Sequence, residues 1–182
     1  MKVEVMTWPD CPSRFDGNGI ILTLLGLPHA TPRTEAGMRA RETAKEIAAR
    51  LLNRTNIELI ETPQGPRLAQ SSAHLSLSYA ADKVLIGFSC ERPLGVDIVR
   101  IAPLPEIDAL ARLYLPASNA ISAAGFAQAW AEMEACCKAL NLPLAEIDAR
   151  RKKAYAACDL LECTQIGGYR MAVALGHLPD PA

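Results

Sequence analysis

The sequence predicts an α+β fold of two similar lobes, each an antiparallel sheet packed with helices, with residues 1–94 in one lobe and 95–182 in the other. Two observations lead there, and a third bears on partners. Helical material runs into a hairpin pattern twice along the chain, once in each half. Of the 182 residues 50% are hydrophobic, enough for one sizeable core or two small lobes sharing an interface without disulfide or metal staples. Acidic and basic residues nearly cancel, 20 against 19, so nothing global favours wrapping nucleic acid or coating an anionic membrane.

The first half begins with Met1-Lys2-Val3-Glu4-Val5, whose alternation of polar and apolar residues reads as a strand. Residues 20–27 are the most apolar early run, interrupted by Thr23 and Gly26. Over residues 36–52, Ala40, Ala44, Ile47 and Leu51 recur at spacings of three and four among charged residues, which predicts an amphipathic helix. Residues 57–60 read as a short strand, and Thr62-Pro63-Gln64-Gly65-Pro66 is turn chemistry that places Arg67 on or beside a tight loop. Leu75-Ser76-Leu77-Ser78-Tyr79 alternates with period two, residues 80–83 break it, and residues 84–88 resume as an apolar run, so a hairpin is expected.

The second half opens after the Glu91-Arg92-Pro93 break with Gly95-Val96-Asp97-Ile98-Val99, a β-branched segment carrying one acid in its middle. Ile107, Leu110, Ala111 and Tyr114 share a helical face; beyond Pro116, Phe126, Trp130, Met133, Cys137 and Leu140 recur at helical spacing. Two helices separated by a proline break are expected. Residues 160–165, the Gly167-Gly168 pair and residues 169–175 form a second hairpin pattern, with both glycines expected at positive φ.

The amino-terminal residues lack the basic stretch and following apolar run of a secretory signal, and residues 20–27 are far short of the ~20 residues that span a bilayer. A soluble, cytoplasmic protein is expected. The six cysteines, at 11, 90, 136, 137, 158 and 163, lack the paired spacings of a zinc ribbon or redox motif and read as reduced, mostly buried thiols. Cys158 and Cys163 are a weak metal candidate with no histidine near them in sequence.

Two acids stand out by context. Asp97 lies inside an apolar strand, and Glu134 lies on a helix among Ala131, Ala135, Cys136 and Cys137. A buried carboxylate is costly unless paired, protonated or bound to metal, and two carboxylates on different elements suit Mg²⁺, which fills its remaining positions with water and phosphate oxygens. Trp130, Glu134 and Lys138 fall in one row at spacings of four. Lys138 could touch a phosphate held at Glu134; taken alone, the pair also reads as a surface i,i+4 contact of about 0.2–0.5 kcal/mol. Arg67 beside its loop is a phosphate-contact candidate or an ordinary surface arginine. Ser78 is a nucleotide-contact candidate or a strand-edge serine.

These residues resemble the motifs of the two-lobed 4'-phosphopantetheinyl transferases, the type that activates peptide synthetases. The family's Gly-x-Asp-x-Glu strand is matched by Gly95-Val96-Asp97-Ile98-Val99, and its Trp-x-x-Lys-Glu-Ala-x-x-Lys helix by the segment from Trp130 through Met133, Glu134 and Ala135 to Lys138. Its Gly-Lys-Pro loop is similar to Gly65-Pro66-Arg67-Leu68, and its Phe-Asn-x-Ser-His-Ser strand to Leu75-Ser76-Leu77-Ser78-Tyr79-Ala80. Order and approximate spacing agree from about Arg39 to Leu140, and the final hairpin fits. Three positions depart: Val99 stands for an acid, Met133 for a lysine and Tyr79 for the histidine that meets the coenzyme A 3'-phosphate. On period two, His74 would face away from Tyr79 and does not replace that histidine.

The resemblance implies a pseudo-duplicated 4'-phosphopantetheinyl transferase fold with its site between the lobes. It implies Mg²⁺-dependent transfer of phosphopantetheine from coenzyme A to a serine of an acyl or peptidyl carrier protein. Asp97 and Glu134 are then the metal ligands, Glu134 and Lys138 the catalytic pair, and Arg67, Ser78, Tyr79 and Lys138 the coenzyme A contacts. A monomer is expected, because two fused lobes make internally the interface that single-lobe relatives make by association. Arg39, Arg41 and residues 150–153 are candidate contacts for an acidic carrier. Two alternatives stand beside it: a transferase-like module without catalysis that binds coenzyme A or a carrier, and an unrelated α+β structural protein in which Asp97 is a capped or salt-bridged core acid.

Overall fold

A computed structural model describes residues 2–15, 19–103, 105, 107–114, 122–142, 154–163 and 165–177, and shows a mixed α+β architecture. The strands are β1 (Lys2–Val3), β2 (Val5–Thr7), β3 (Ile20–Gly26), β4 (Leu59–Thr62), β5 (Gly65–Leu68), β6 (His74–Ala80), β7 (Lys83–Ser89), β8 (Leu94–Arg100), β9 (Cys158–Cys163) and β10 (Tyr169–Gly176). The helices are α1 (Arg33–Leu52), α2 (Ile107–Tyr114) and α3 (Ala123–Ala139). The Pro116 break and the basic run at 150–153 lie outside the described residues. None of the described helices is long and apolar enough to cross a membrane.

Two four-stranded sheets carry the fold, ordered β2-β3-β7-β6 and β1-β9-β10-β8. In each, a strand (β3 or β8) leads into helical structure and then a hairpin (β6–β7 or β9–β10), and the last strand of that series pairs between the other two. The pairings among these strands are antiparallel, while β2 lies parallel to β3 and β1 parallel to β9. The amino-terminal segment thus passes from one sheet to the other.

Strand alternation explains how the sheets stack. Leu22, Leu24 and Leu85 of the first sheet meet Val96, Ile98, Met171 and Val173 of the second in a core between them. The opposite faces bury Val84, Ile86 and Phe88 under the alanine-rich face of α1, and Ala172 and Ala174 under α3. Burying each such Val, Ile or Leu side chain contributes roughly 1.5–3 kcal/mol, which makes this alternation the main determinant of register. Gly87 lets the sheets close: a Cβ there would stand 2.5 Å from Val96 Cγ1.

Helix ends follow local chemistry. Ser122 caps α3 by accepting a hydrogen bond from the Gly125 amide at 3.0 Å. Asn53, in the left-handed region at φ 50°, ends α1. Helix α1 begins at Arg33, ahead of the first apolar-periodic residue, because Pro32 and a polar first turn precede the stripe. The expected loop at 62–66 is a two-residue turn, with Gly65 at φ 118° opening a strand that contains Pro66 and Arg67. At the second hairpin only Gly168 takes a positive φ, 80°. The strand before it runs Cys158–Cys163, two residues earlier than the apolar pattern predicts.

Candidate functional site

Gly95 is the starting point. A Cβ at that position would lie 1.8 Å from the Ala135 carbonyl oxygen and 2.6 Å from the Ala139 nitrogen, so the backbone of α3 rests directly on β8. The matching face of α3 is a row of small residues at spacing four, Ala131, Ala135 and Ala139, all buried. The neighbouring row, Trp130, Glu134 and Lys138, is thereby laid along the edge of β8 where Asp97 emerges. Val96 and Ile98 point into the core between the sheets, whereas Asp97 points to the helix side.

Asp97 is 5% exposed and is satisfied by two donors on the same oxygen. Ser78 Oγ donates to Asp97 Oδ1 at 2.6 Å, and Lys138 Nζ donates to that atom at 2.6 Å and to the Val96 carbonyl at 3.0 Å. Ser78 is an acceptor as well as a donor. Its hydroxyl accepts from the Ile98 amide at 3.2 Å, as Ser76 does from the Val96 amide at 3.0 Å. The edge of β8 away from β10 would otherwise carry unpaired amides. The two serines of β6 satisfy it and join the two sheets edge to edge.

A cleft of about 500 Å³ opens at this seam, lined by Ser78, Tyr79, Asp97, Trp130, Glu134 and Lys138. Val99 lines it too, where the motif resemblance has an acid. Met133, at 1% exposure, belongs to the core under α3. A second cleft of about 500 Å³ adjoins the first, sharing Arg33, Tyr79 and Lys138 and adding Arg41, Arg67 and His74. All six sequence-derived site residues line one or both clefts.

The second cleft is cationic and well tied. Arg41 grips Glu61 through two bonds of 2.6 and 2.8 Å and donates to the Tyr79 hydroxyl at 3.4 Å. Arg33 stacks 4.1 Å from the centroid of the Tyr79 ring. Arg67, on β5, donates to Asn141 Oδ1 at 2.7 Å and so bridges the β4–β5 hairpin to the end of α3. Burial raises the Tyr79 phenol above its ordinary value despite the opposing charges of Arg41 and Arg33. Burial, with the charge of Arg67 adding to it, lowers the His74 imidazole below its ordinary value. His74 and Tyr79 lie on opposite faces of β6, yet both line this cleft because β6 is the last strand of its sheet.

The sequence pattern did not single out Arg33 or Ser76. The signal for Arg33 was present: Arg33, Gly37 and Arg41 fall on one helical row, and Arg41 Nη1 donates to the Gly37 carbonyl at 3.0 Å. Arg39 instead pairs with Glu35 on the solvent face. Elsewhere, Cys158 and Cys163 are buried, and burial raises the Cys163 thiol to about 11. Among the described residues, no three His, Cys, Asp or Glu side chains form a group that could hold a metal. Comparison of the chain with protein-family models and with curated proteins found no match.

Proposed function

We propose that this protein is a Mg²⁺-dependent 4'-phosphopantetheinyl transferase that moves the phosphopantetheine arm of coenzyme A onto a serine of an apo acyl or peptidyl carrier protein. The observation that carries this reading is the convergence of Asp97, Glu134, Lys138, Ser78 and Tyr79 on one cleft at the seam between the two sheets. The repeated strand order supports the duplicated form of that family's fold, with lobes built mainly from 1–94 and 95–182, β1 crossing to the second lobe's sheet, and the site between them. The protein acts in the cytoplasm as a monomer.

The donor set fits a hard divalent ion. Asp97 and Glu134 line the same cleft, and Mg²⁺ needs only one or two carboxylates when phosphate and water complete its shell. Asp97 and Glu134 would hold it; when bound, Mg²⁺ polarises the pyrophosphate and offsets charge on the leaving group. The chain's own residues do the rest. Arg33, Arg41 and Arg67 give the adjoining cleft the positive charge that nucleotide phosphates require. Lys138, which lines both clefts, serves a phosphate oxygen where they join. Glu134 takes the proton of the carrier serine as its oxygen attacks the β-phosphorus, the phosphoanhydride bond breaks, and 3',5'-ADP departs.

A second reading is favoured by one observation. Lys138 sits on Asp97 Oδ1, and Val99 and Tyr79 line the cleft where the resemblance has an acid and a histidine. A module that binds coenzyme A or a carrier without turnover would look like this. Chromatographic detection of 3',5'-ADP separates the two, using the protein with Mg²⁺, coenzyme A and a panel of apo carriers. Release that requires a carrier, and is lost in Asp97→Ala and Glu134→Ala, is the expected result. Coenzyme A binding without release with cognate carriers would favour the module.

A further inference from the structure

We infer that Lys138 is a resident counter-ion that competes with a divalent cation for Asp97, so that the cation binds weakly alone and tightly only together with a diphosphate that gives the ammonium another partner. This rests on the metal role proposed above for Asp97 and Glu134. Lys138 Nζ holds Asp97 Oδ1 at 2.6 Å, with side-chain exposures of 16% for the lysine and 7% for the acid. At such burial the charges are weakly screened, and an incoming cation on Asp97 meets a positive charge already in its coordination space. The ammonium is anchored as well as charged, because it also donates to the Val96 carbonyl at 3.0 Å.

Two features make the contact exchangeable. An ammonium carries three donors, and among the described residues Lys138 gives two of them, to Asp97 and the Val96 carbonyl, so a ligand oxygen can be met by the third. Lys138 also lines both clefts, so a phosphate entering from the arginine side reaches it without passing Asp97. Ser78 keeps its own bond to Oδ1 and holds the carboxylate in place while the lysine changes partner. Binding of cation and diphosphate is then mutually reinforcing, and linkage requires each to raise the affinity of the other by the same factor.

The test uses Mn²⁺ as the probe, with free ion counted by electron paramagnetic resonance in the full chain. Lys138→Gln should bind Mn²⁺ alone at least tenfold more tightly than the unaltered protein, whereas Lys138→Arg, which keeps the charge, should not. Coenzyme A should raise the Mn²⁺ affinity of the unaltered protein at least tenfold, and that gain should shrink in Lys138→Gln. Asp97→Asn should abolish the site in either background. Equal Mn²⁺ affinity in the folded Lys138→Gln and unaltered proteins overturns the inference, as does an unaltered protein whose Mn²⁺ affinity ignores coenzyme A. The second measurement stands even if Lys138→Gln does not fold. Transfer to a carrier without this competition overturns the counter-ion role alone; competition without transfer overturns catalysis alone.

Discussion

Replacing Gly95 by alanine should separate α3 from β8 and disperse the site in one step. The added Cβ would meet the Ala135 carbonyl oxygen at 1.8 Å, where ordinary contact begins at 3.4 Å, so the helix must retreat by about 1.6 Å. Neither side can yield locally, since both are backbone in regular structure. A retreat of that size stretches the 2.6 Å bond between Lys138 and Asp97 past hydrogen-bonding range and opens the alanine row of α3. Overpacking of this kind typically costs about 1–3 kcal/mol, and the upper end applies because backbone is struck rather than a movable side chain. Urea denaturation followed by circular dichroism should show the midpoint falling with little change in slope. Gly167→Ala is the control, because a Cβ there meets nothing within 4 Å, and its midpoint should stay put. A Gly95→Ala protein as stable as its parent would refute the placement of α3 on β8.

Ser78→Ala should be more destabilising than Ser76→Ala, by urea midpoint. Each variant orphans one buried amide, of Ile98 or of Val96, at about 1–3 kcal/mol, and Ser78→Ala also takes one of the two donors from Asp97, which keeps Lys138. Equal midpoints would mean that the Asp97 bond contributes nothing. His74 should make stability depend on pH: its folded value lies below 6.5, so the unfolded chain takes up the proton first as pH falls. Stability from this group is complete above 6.5 and is lost on acidification below it. Melting temperatures between about pH 7.5 and pH 5 should fall less steeply in His74→Gln, and identical slopes would contradict the assignment. Arg67→Ala should weaken coenzyme A binding roughly tenfold by calorimetry while leaving the unfolding free energy from urea denaturation within about 0.5 kcal/mol, because the side chain is exposed. An unchanged affinity would remove Arg67 from the coenzyme A contacts.

Local pattern exposed much of the architecture. The hairpin at His74–Ser89 and the acid-bearing strand β8 follow from period two and from breaks at residues 80–83 and 91–93. The stripe in α1 follows from its three- and four-residue spacing, although the helix starts at Arg33, where polar residues carry no periodic signal. Strand β5 stayed hidden because Gly65 and Pro66 read as turn; a two-stranded hairpin tolerates proline where a central strand would not. In the site, Asp97, Glu134 and Lys138 were legible as an acid in an apolar strand and a row at spacing four, but the pairing between them was not. Lys138 was expected to reach a phosphate, and it binds Asp97 across 41 residues of chain, a contact set by how closely Gly95 admits α3. Ser78 read as a nucleotide contact or a strand-edge residue and Ser76 was not singled out, because whether these serines meet water or the edge of β8 depends on how two sheets dock. The neutral overall charge likewise concealed the arginines that α1 and β5 bring together in one cleft.

The most direct test of the proposed transfer is the intact mass of apo carrier proteins from the same genome, incubated with this protein, Mg²⁺ and coenzyme A. One carrier should gain one phosphopantetheine on a serine, and the gain should disappear with Asp97→Ala although circular dichroism shows the fold intact. Cognate carriers that gain no mass, or full transfer by Asp97→Ala, would contradict the proposed function.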